Sequence, residues 1–320
     1  MAGSYVLNIF PHSPPYQKPM TPQYSSVEPQ QLDAMAKQTA NGSLRVAILV
    51  AYEGSAFQGW QLQPHGPTVQ GKLEEALQTI TGTHVRVQGS GRTDAGVHGR
   101  NQVAHFDLPA PRSLHKLRAS LNGLCAPTIS VKQVIPVPAG FHARHDARGK
   151  TYCYHLFHRP YPPVFAKSRC WWIKHKLDVD SMRAAATHLL GEHDFSAFRS
   201  IDCAAKSPVH TLRRVEMEEG DWPDATLRIT FEATGFLQHM ARIITGTLVA
   251  VGAGRFSPDD VKQILASKNR EQAGETAPGR GLHLLHVHYD TKAFSELAAF
   301  EQENTFWETP ELIPMEKEHP

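Results

Sequence analysis

Apolar positions along residues 45–137 alternate between two periods. Residues 45–52 form a short, mostly apolar run that predicts a strand. Across 68–81, Val69, Leu73, Leu77 and Ile80 recur at helical spacing, with Thr68 as N-cap and Gly82 as stop. Leu114, Leu117, Leu121 and Leu124 predict a second helix. Val85 and Val87 predict a strand, as do Val103 and residues 105–108, and 129–137 predicts another. That order is βαββαβ, the split unit of ferredoxin-like folds.

The following stretch repeats the order with insertions. Residues 151–158 predict a strand, 171–174 a short further strand, and 180–190 a helix. Two strands are expected at 209–218 and 227–234, and a long apolar helix at 236–251. Ser257 and Pro258 open a short helix to 265, and 282–289 reads as a closing strand. The expected fold class is therefore α+β. Two ferredoxin-like βαββαβ units would form an extended, mostly antiparallel sheet with helices on one face. Expected boundaries are a disordered arm over 1–44, a first domain over 45–145, a second over 146–290, and an acidic tail over 291–320.

Charge changes this picture locally. The net charge is only +2, but residues 86–150 hold ten Lys/Arg against three Asp. Residues 294–320 hold seven Glu against one Lys. A basic stripe suits a phosphate backbone, although a solvated face has the same composition. Four scattered cysteines, Cys125, Cys153, Cys170 and Cys203, form no CxxC pair, so reduced thiols in a cytoplasmic protein are expected. Among 19 histidines, His286 and His288 share a strand face, but no carboxylate or Cys completes a metal set; no metal is expected. No apolar run is long enough to predict a membrane span, and no signal-peptide core opens the chain.

Residues 89–98, Gly-Ser-Gly-Arg-Thr-Asp-Ala-Gly-Val-His, carry the candidate chemistry. Asp94 lies in a glycine-rich strand-to-strand loop, with Arg92 two residues before it. The glycines let the backbone bend sharply and a substrate approach closely. A carboxylate held there can act as nucleophile or base; a solvated hairpin aspartate has the same local sequence.

The loop resembles the active-site motif of the TruA family of tRNA pseudouridine synthases. Six further stretches resemble the family in order: 45–60, 68–77, 141–155 (FHARHDARGKTYCYH), 193–199 (HDFSAFR), 235–246 (GFLQHMARIITG) and 281–289 (GLHLLHVHY). The resemblance implies the same fold, a homodimer and no cofactor. It implies isomerisation of uridine to pseudouridine in the tRNA anticodon stem-loop, around tRNA positions 38 to 40. Asp94 would be the catalytic carboxylate and Arg242 its cation. Tyr152 would be a platform for the turned-out base, and Arg92 would enter the space that base vacates. Arg144, Arg148 and Lys150 would extend the backbone track.

Three positions depart from the family pattern: Gly99 where Ala is usual, Ala241 where Val is usual, and His283 where Tyr is common. Gly99 is expected to loosen the loop, and His283 to alter how the pocket floor meets the base. Three competing functions remain at this point. One is the same chemistry on another structured RNA, and a second is RNA binding without catalysis. The third is a nucleoside hydrolase, which would want a second carboxylate; Asp107 is the near candidate.

Overall fold

The computed structural model describes residues 43–110 and 112–290. The expected arm and acidic tail lie almost wholly outside these residues. The chain runs β1 (Leu44–Tyr52), α1 (Val69–Thr81), β2 (Gln88–Gly89), β3 (His98–Leu108), α2 (Leu114–Cys125) and β4 (Ile129–Pro136). It continues with β5 (Ala147–His158), β6 (Trp171–Ile173), α3 (Val179–Thr187), β7 (Gly191–Asp194), β8 (Val209–Trp222) and β9 (Ala225–Ala233). It ends with α4 (Met240–Gly252), α5 (Pro258–Ser267) and β10 (Leu282–Tyr289).

One mixed sheet carries all ten strands, in the order β4-β1-β3-β10-β5-β9-β8-β7, with β2 on β3 and β6 on β5. The ferredoxin-like order is present twice. In the first half it is β4-β1-β3-β2, and in the second β10-β5-β9-β8. The predicted caps hold: Thr68 accepts from the Gly71 N–H, and Gly82 closes α1 at φ 75°. Ser257 and Asp260 form a capping box at α5, with Pro258 in its first turn.

Each half buries its own helices. Val46, Ile48 and Val50 of β1 pack with Leu73 and Leu77 of α1 and Leu117 and Leu121 of α2. A larger core joins Tyr154, Leu156, Ile229 and Phe231 to Met182 of α3, Ile243, Ile244 and Leu248 of α4, and Val261 and Ile264 of α5.

The halves join at one edge of β3. There β2 pairs with His105 and Ala104, while β10 pairs in parallel with His98 and Gly99. The ladder between β3 and β10 is short, and the Asn101 side chain extends it by donating to the Leu285 carbonyl at 2.8 Å. Between these two pairings the chain from Ser90 to Val97 leaves the sheet. The Asp94 loop thus emerges at the seam between the two units.

Three elements differ from expectation. The strand before the loop is only Gln88–Gly89, with Val85 and Val87 buried but outside the ladder. The strand β7 carries no alternation that would reveal it. The helix expected from 236 begins at Met240, because His239 is left-handed at φ 64° and ends the preceding turn. Phe236 and Leu237 continue the apolar pattern, but Phe236 packs edge-on against Tyr152, with ring centroids 4.9 Å apart.

Candidate active site

The Asp94 loop is held from below by the segment Gly54–Trp60. The Trp60 N–H donates to the Thr93 carbonyl at 3.0 Å, and the Thr93 hydroxyl meets the Tyr52 hydroxyl at 2.9 Å. Asp94 itself opens a tight turn in which the Val97 N–H donates back to its carbonyl at 3.1 Å, with Gly96 at φ 78°. Gly59 is required by close approach: a Cβ there would stand 2.5 Å from the Thr93 carbonyl oxygen. The far side of the loop is tied to β3, where the Gln102 amide donates to the Gly91 carbonyl at 3.1 Å.

Arg242 comes to Asp94 across the seam. It is the one residue of α4 that is not buried. Its Nε donates to the Ala277 carbonyl at 2.7 Å, which orients the guanidinium, and its Nη1 donates to Asp94 Oδ2 at 2.9 Å. The two side chains keep 15% and 25% of their surface exposed. A charge on so apolar a helix needs such a partner. His239, the N-cap of α4, places Nε2 at 3.5 Å from the same Oδ2. Among the described residues no such contact falls on Oδ1. Burial, with Arg242 and Arg270 nearby, lowers the His239 pKa against the pull of Asp94. The apolar run through this segment reads as continuous helix, which is why His239 escapes sequence reasoning; its left-handed backbone is what turns it onto Asp94.

Tyr152 of β5 lies on the same face as Tyr154, whose hydroxyl donates to the Pro278 carbonyl at 2.7 Å. Burial, reinforced by Tyr52 and Asp94, raises the Tyr152 pKa, so the phenol keeps its proton through the neutral range. Tyr154 is fully buried and belongs to the core.

A groove of about 320 Å³ runs beside the loop, lined among others by Trp60, Arg86, Arg92, His142 and Arg144. Arg92 lies over Gln61, donating from Nε at 3.1 Å, and both Arg92 and Arg144 are exposed. Arg148 is exposed but does not line this groove. Lys150 turns inward instead: its ammonium donates to the Ser90 carbonyl at 3.1 Å, and burial beside Arg144 lowers its pKa to about 8. It braces the loop rather than extending a surface track.

The departures acquire physical meanings. Gly99 lies in β3, not in the turn, and a Cβ there would stand 2.4 Å from the Tyr52 ring. His283 pairs with Cys153, on the face of the sheet opposite Tyr152, so it forms no part of a pocket floor. Leu284 takes the place opposite Tyr152. Asp107 is engaged by Arg45 through two hydrogen bonds of 2.7 and 2.8 Å, which removes it as a second catalytic carboxylate. Among the described residues no group of three His, Cys, Asp or Glu could hold a metal ion, and no helix is long and apolar enough to cross a membrane.

Two ferredoxin-like units sharing one sheet, with a carboxylate and an arginine meeting at their seam beside a basic groove, define a scaffold of the pseudouridine synthase type. The tRNA pseudouridine synthase family matches residues 48–146 and 185–290. A tRNA pseudouridine synthase A of Paracidovorax citrulli (strain AAC00-1) is 44% identical over 262 residues, covering 77% of this chain and 94% of the relative. One from Burkholderia mallei (strain SAVP1) is 43% identical over 247 residues, covering 77% and 90%. Among solved structures, a chain of a Cbf5-Nop10-Gar1 complex is similar at 15% identity, with a TM-score of 0.31, over 73% of this chain and 50% of that one. That last likeness is too distant to carry an argument. The chain belongs to the tRNA pseudouridine synthase family, whose reaction converts uridine to pseudouridine.

Proposed function

We propose that the chain isomerises uridines of the tRNA anticodon stem-loop, around tRNA positions 38 to 40, with Asp94 as the catalytic carboxylate. The N1–C1′ bond breaks, the base turns, and C5 bonds to C1′. The C5 proton is lost and N1 gains one, so composition is unchanged and no oxidant or group donor is needed. The observation that carries this reading is the pairing of Asp94 Oδ2 with Arg242 at 2.9 Å, which leaves Oδ1 outside that contact. Arg242 keeps the carboxylate oriented for attack on the ribose or for removal of a ribose proton.

Tyr152 supplies the platform against which the turned-out base rests while it rotates. Its retained proton suits it to packing and donation rather than to acting as the base for C5. Arg92 enters the vacated space, and Arg144 takes phosphate in the groove; Arg148 serves the backbone farther along. Residues 45–145 and 146–290 act as the two domains that close on the RNA, and the protein works as a cytoplasmic homodimer.

The test is tritium release from C5-labelled uridine in unmodified tRNA, with wild type and Asp94→Asn side by side. Wild type is expected to release tritium and folded Asp94→Asn to lose about 10⁴-fold or more of the rate. Equal release by both would sink the assignment of Asp94.

A further inference from the structure

Residues 159–177 connect β5 to α3 by way of β6. They hold five Lys/Arg (Arg159, Lys167, Arg169, Lys174 and Lys176), no Asp or Glu, and four aromatics. Phe165 is 99% exposed, Val164 70% and Tyr161 59%. Lys167, Arg169, Lys174 and Lys176 are exposed as well.

This segment is strapped to the sheet. The His98 Nε2–H donates to the Ser168 carbonyl at 2.9 Å, and the His283 Nε2–H to the Arg169 carbonyl at 3.0 Å. Arg280 Nε donates to the Cys170 carbonyl at 3.2 Å. The turn carrying Arg280 touches the Asp94 loop in its turn: a Cβ on Gly279 would stand 2.4 Å from the Ala95 carbonyl oxygen. The strap is therefore anchored on the Ala95 side of Asp94, while the groove with Arg92 lies on the Gly91 side.

We infer that the 159–177 strap is a second RNA-binding surface, set on the His98–His283 side of the sheet and tied to the Ala95 end of the Asp94 loop, away from the groove. Its cations take phosphates of the tRNA beyond the nucleotide being isomerised, and the Phe165 ring takes an unpaired base. Cations interleaved with an exposed planar ring are the chemistry of single-strand binding. A second copy of the chain fits worse, because a self-complementary contact would bring five like charges on each side together. Among the described residues, only Arg169 of these cations lies within 4.0 Å of a carboxylate, that of Glu53, and the pair is exposed; Lys176 acts on Asp178 at longer range, and the Lys174 ammonium lies 5.2 Å from the Trp172 ring centroid. The inference rests on the reading of Asp94 as the reacting carboxylate.

The experiment uses the full chain and unmodified tRNA, comparing wild type with Phe165→Ala and with Lys167→Ala/Lys174→Ala. Loss of one base stack is expected to raise KM and Kd roughly tenfold in Phe165→Ala, with kcat within about twofold. The lysine variant is expected to lower the slope of log Kd against log salt by about 0.7 to 0.9 for each phosphate that is no longer neutralised. Unchanged KM, Kd and salt slope in both variants, with wild type active, would overturn the inference. So would a change of oligomeric state in sedimentation velocity with unaltered RNA binding, which would make the strap a contact between copies. Absence of tritium release from wild type would count against the reading of Asp94, while Kd and its salt slope would still decide the strap.

Discussion

Two clusters of ionisable side chains stand on opposite sides of the sheet where β3, β10 and β5 meet. On the Tyr152 side, Asp94, Arg242 and His239 converge within 3.5 Å and remain partly exposed. On the other side, His98, His283 and His155 stack with ring centroids 4.6 and 4.2 Å apart, all buried. The buried stack carries the stronger perturbation: burial lowers all three pKa values, that of His283 far below its ordinary value. Asp224, 3.2 Å from His155 Nδ1, has its own pKa lowered by His155 and Arg228. Yet the stack is buried away from solvent. His98 and His283 spend Nε2 on the Ser168 and Arg169 carbonyls, and His155 Nδ1 stands 3.2 Å from Asp224. A strongly shifted pKa therefore marks a buried cluster here, and the proposed reactive group stands out instead by charge pairing, an unengaged oxygen and access.

The contrast is broken most severely from the open side. Arg242→Met keeps the length of the side chain and removes its charge. It is expected to cost about 10²- to 10³-fold in kcat for tritium release, because the carboxylate loses its orienting donor. Retention of wild-type kcat would show that Asp94 needs no cation.

The closed side is tested by acid. The folded-state pKa values of His98, His155, His283 and His105 lie below their ordinary value, that of His105 at about 4. The unfolded chain thus binds protons from about pH 6.5 downward while the folded protein does not. Stability is complete above about pH 6.5 and falls as pH drops below it, by up to about 1.4 kcal/mol per pH unit for each histidine. Arg100, Arg169 and Arg228 lie near the stack and add to the cost of charging it, whereas Asp224, Glu53 and the backbone of Arg280 oppose it. Urea denaturation at pH 7.5 and 5.0 should show the fall, and His283→Phe should remove part of it while sparing kcat at pH 7.5. An identical fall in the variant would deny His283 a part in the acid sensitivity.

The smallest expected effect concerns His239. Asn tolerates the left-handed backbone at this position and carries no charge. His239→Asn is expected to lower kcat a few-fold near neutrality. The acid limb of kcat/KM, where His239 takes a proton beside Asp94, should also move to lower pH. A superimposable pH profile would leave His239 as a helix cap alone.

Much of the local structure was legible before folding. The capped helix α1 follows from Thr68, a 3.6-residue apolar stripe and Gly82, all of which act within a few turns of chain. The loop around Asp94 is legible for the same reason, since glycines and a carboxylate in one short run state their own geometry and chemistry. Arg242 is legible as an anomaly, a charge on a helix otherwise wholly buried. What escaped depends on distant partners. The left-handed turn at His239 accompanies the packing of Phe236 on Tyr152, and Lys150 turns inward to the Ser90 carbonyl. Gly99 is forced by the Tyr52 ring across the strand pair.

The sequence by itself determined the alternation of strands and helices, the caps, the glycine-rich loop that carries Asp94 and the family, because each is written in neighbouring residues. The tertiary structure alone decided that β10 adds to β3 beside β2, leaving the gap through which the loop emerges. It also decided which cations reach Asp94 and which histidines are sealed on the far side. Those outcomes join residues as far apart as Asn101 and Leu285, 184 positions along the chain. Such pairings depend on how two cores dock, and no local pattern of apolar and polar positions encodes that docking.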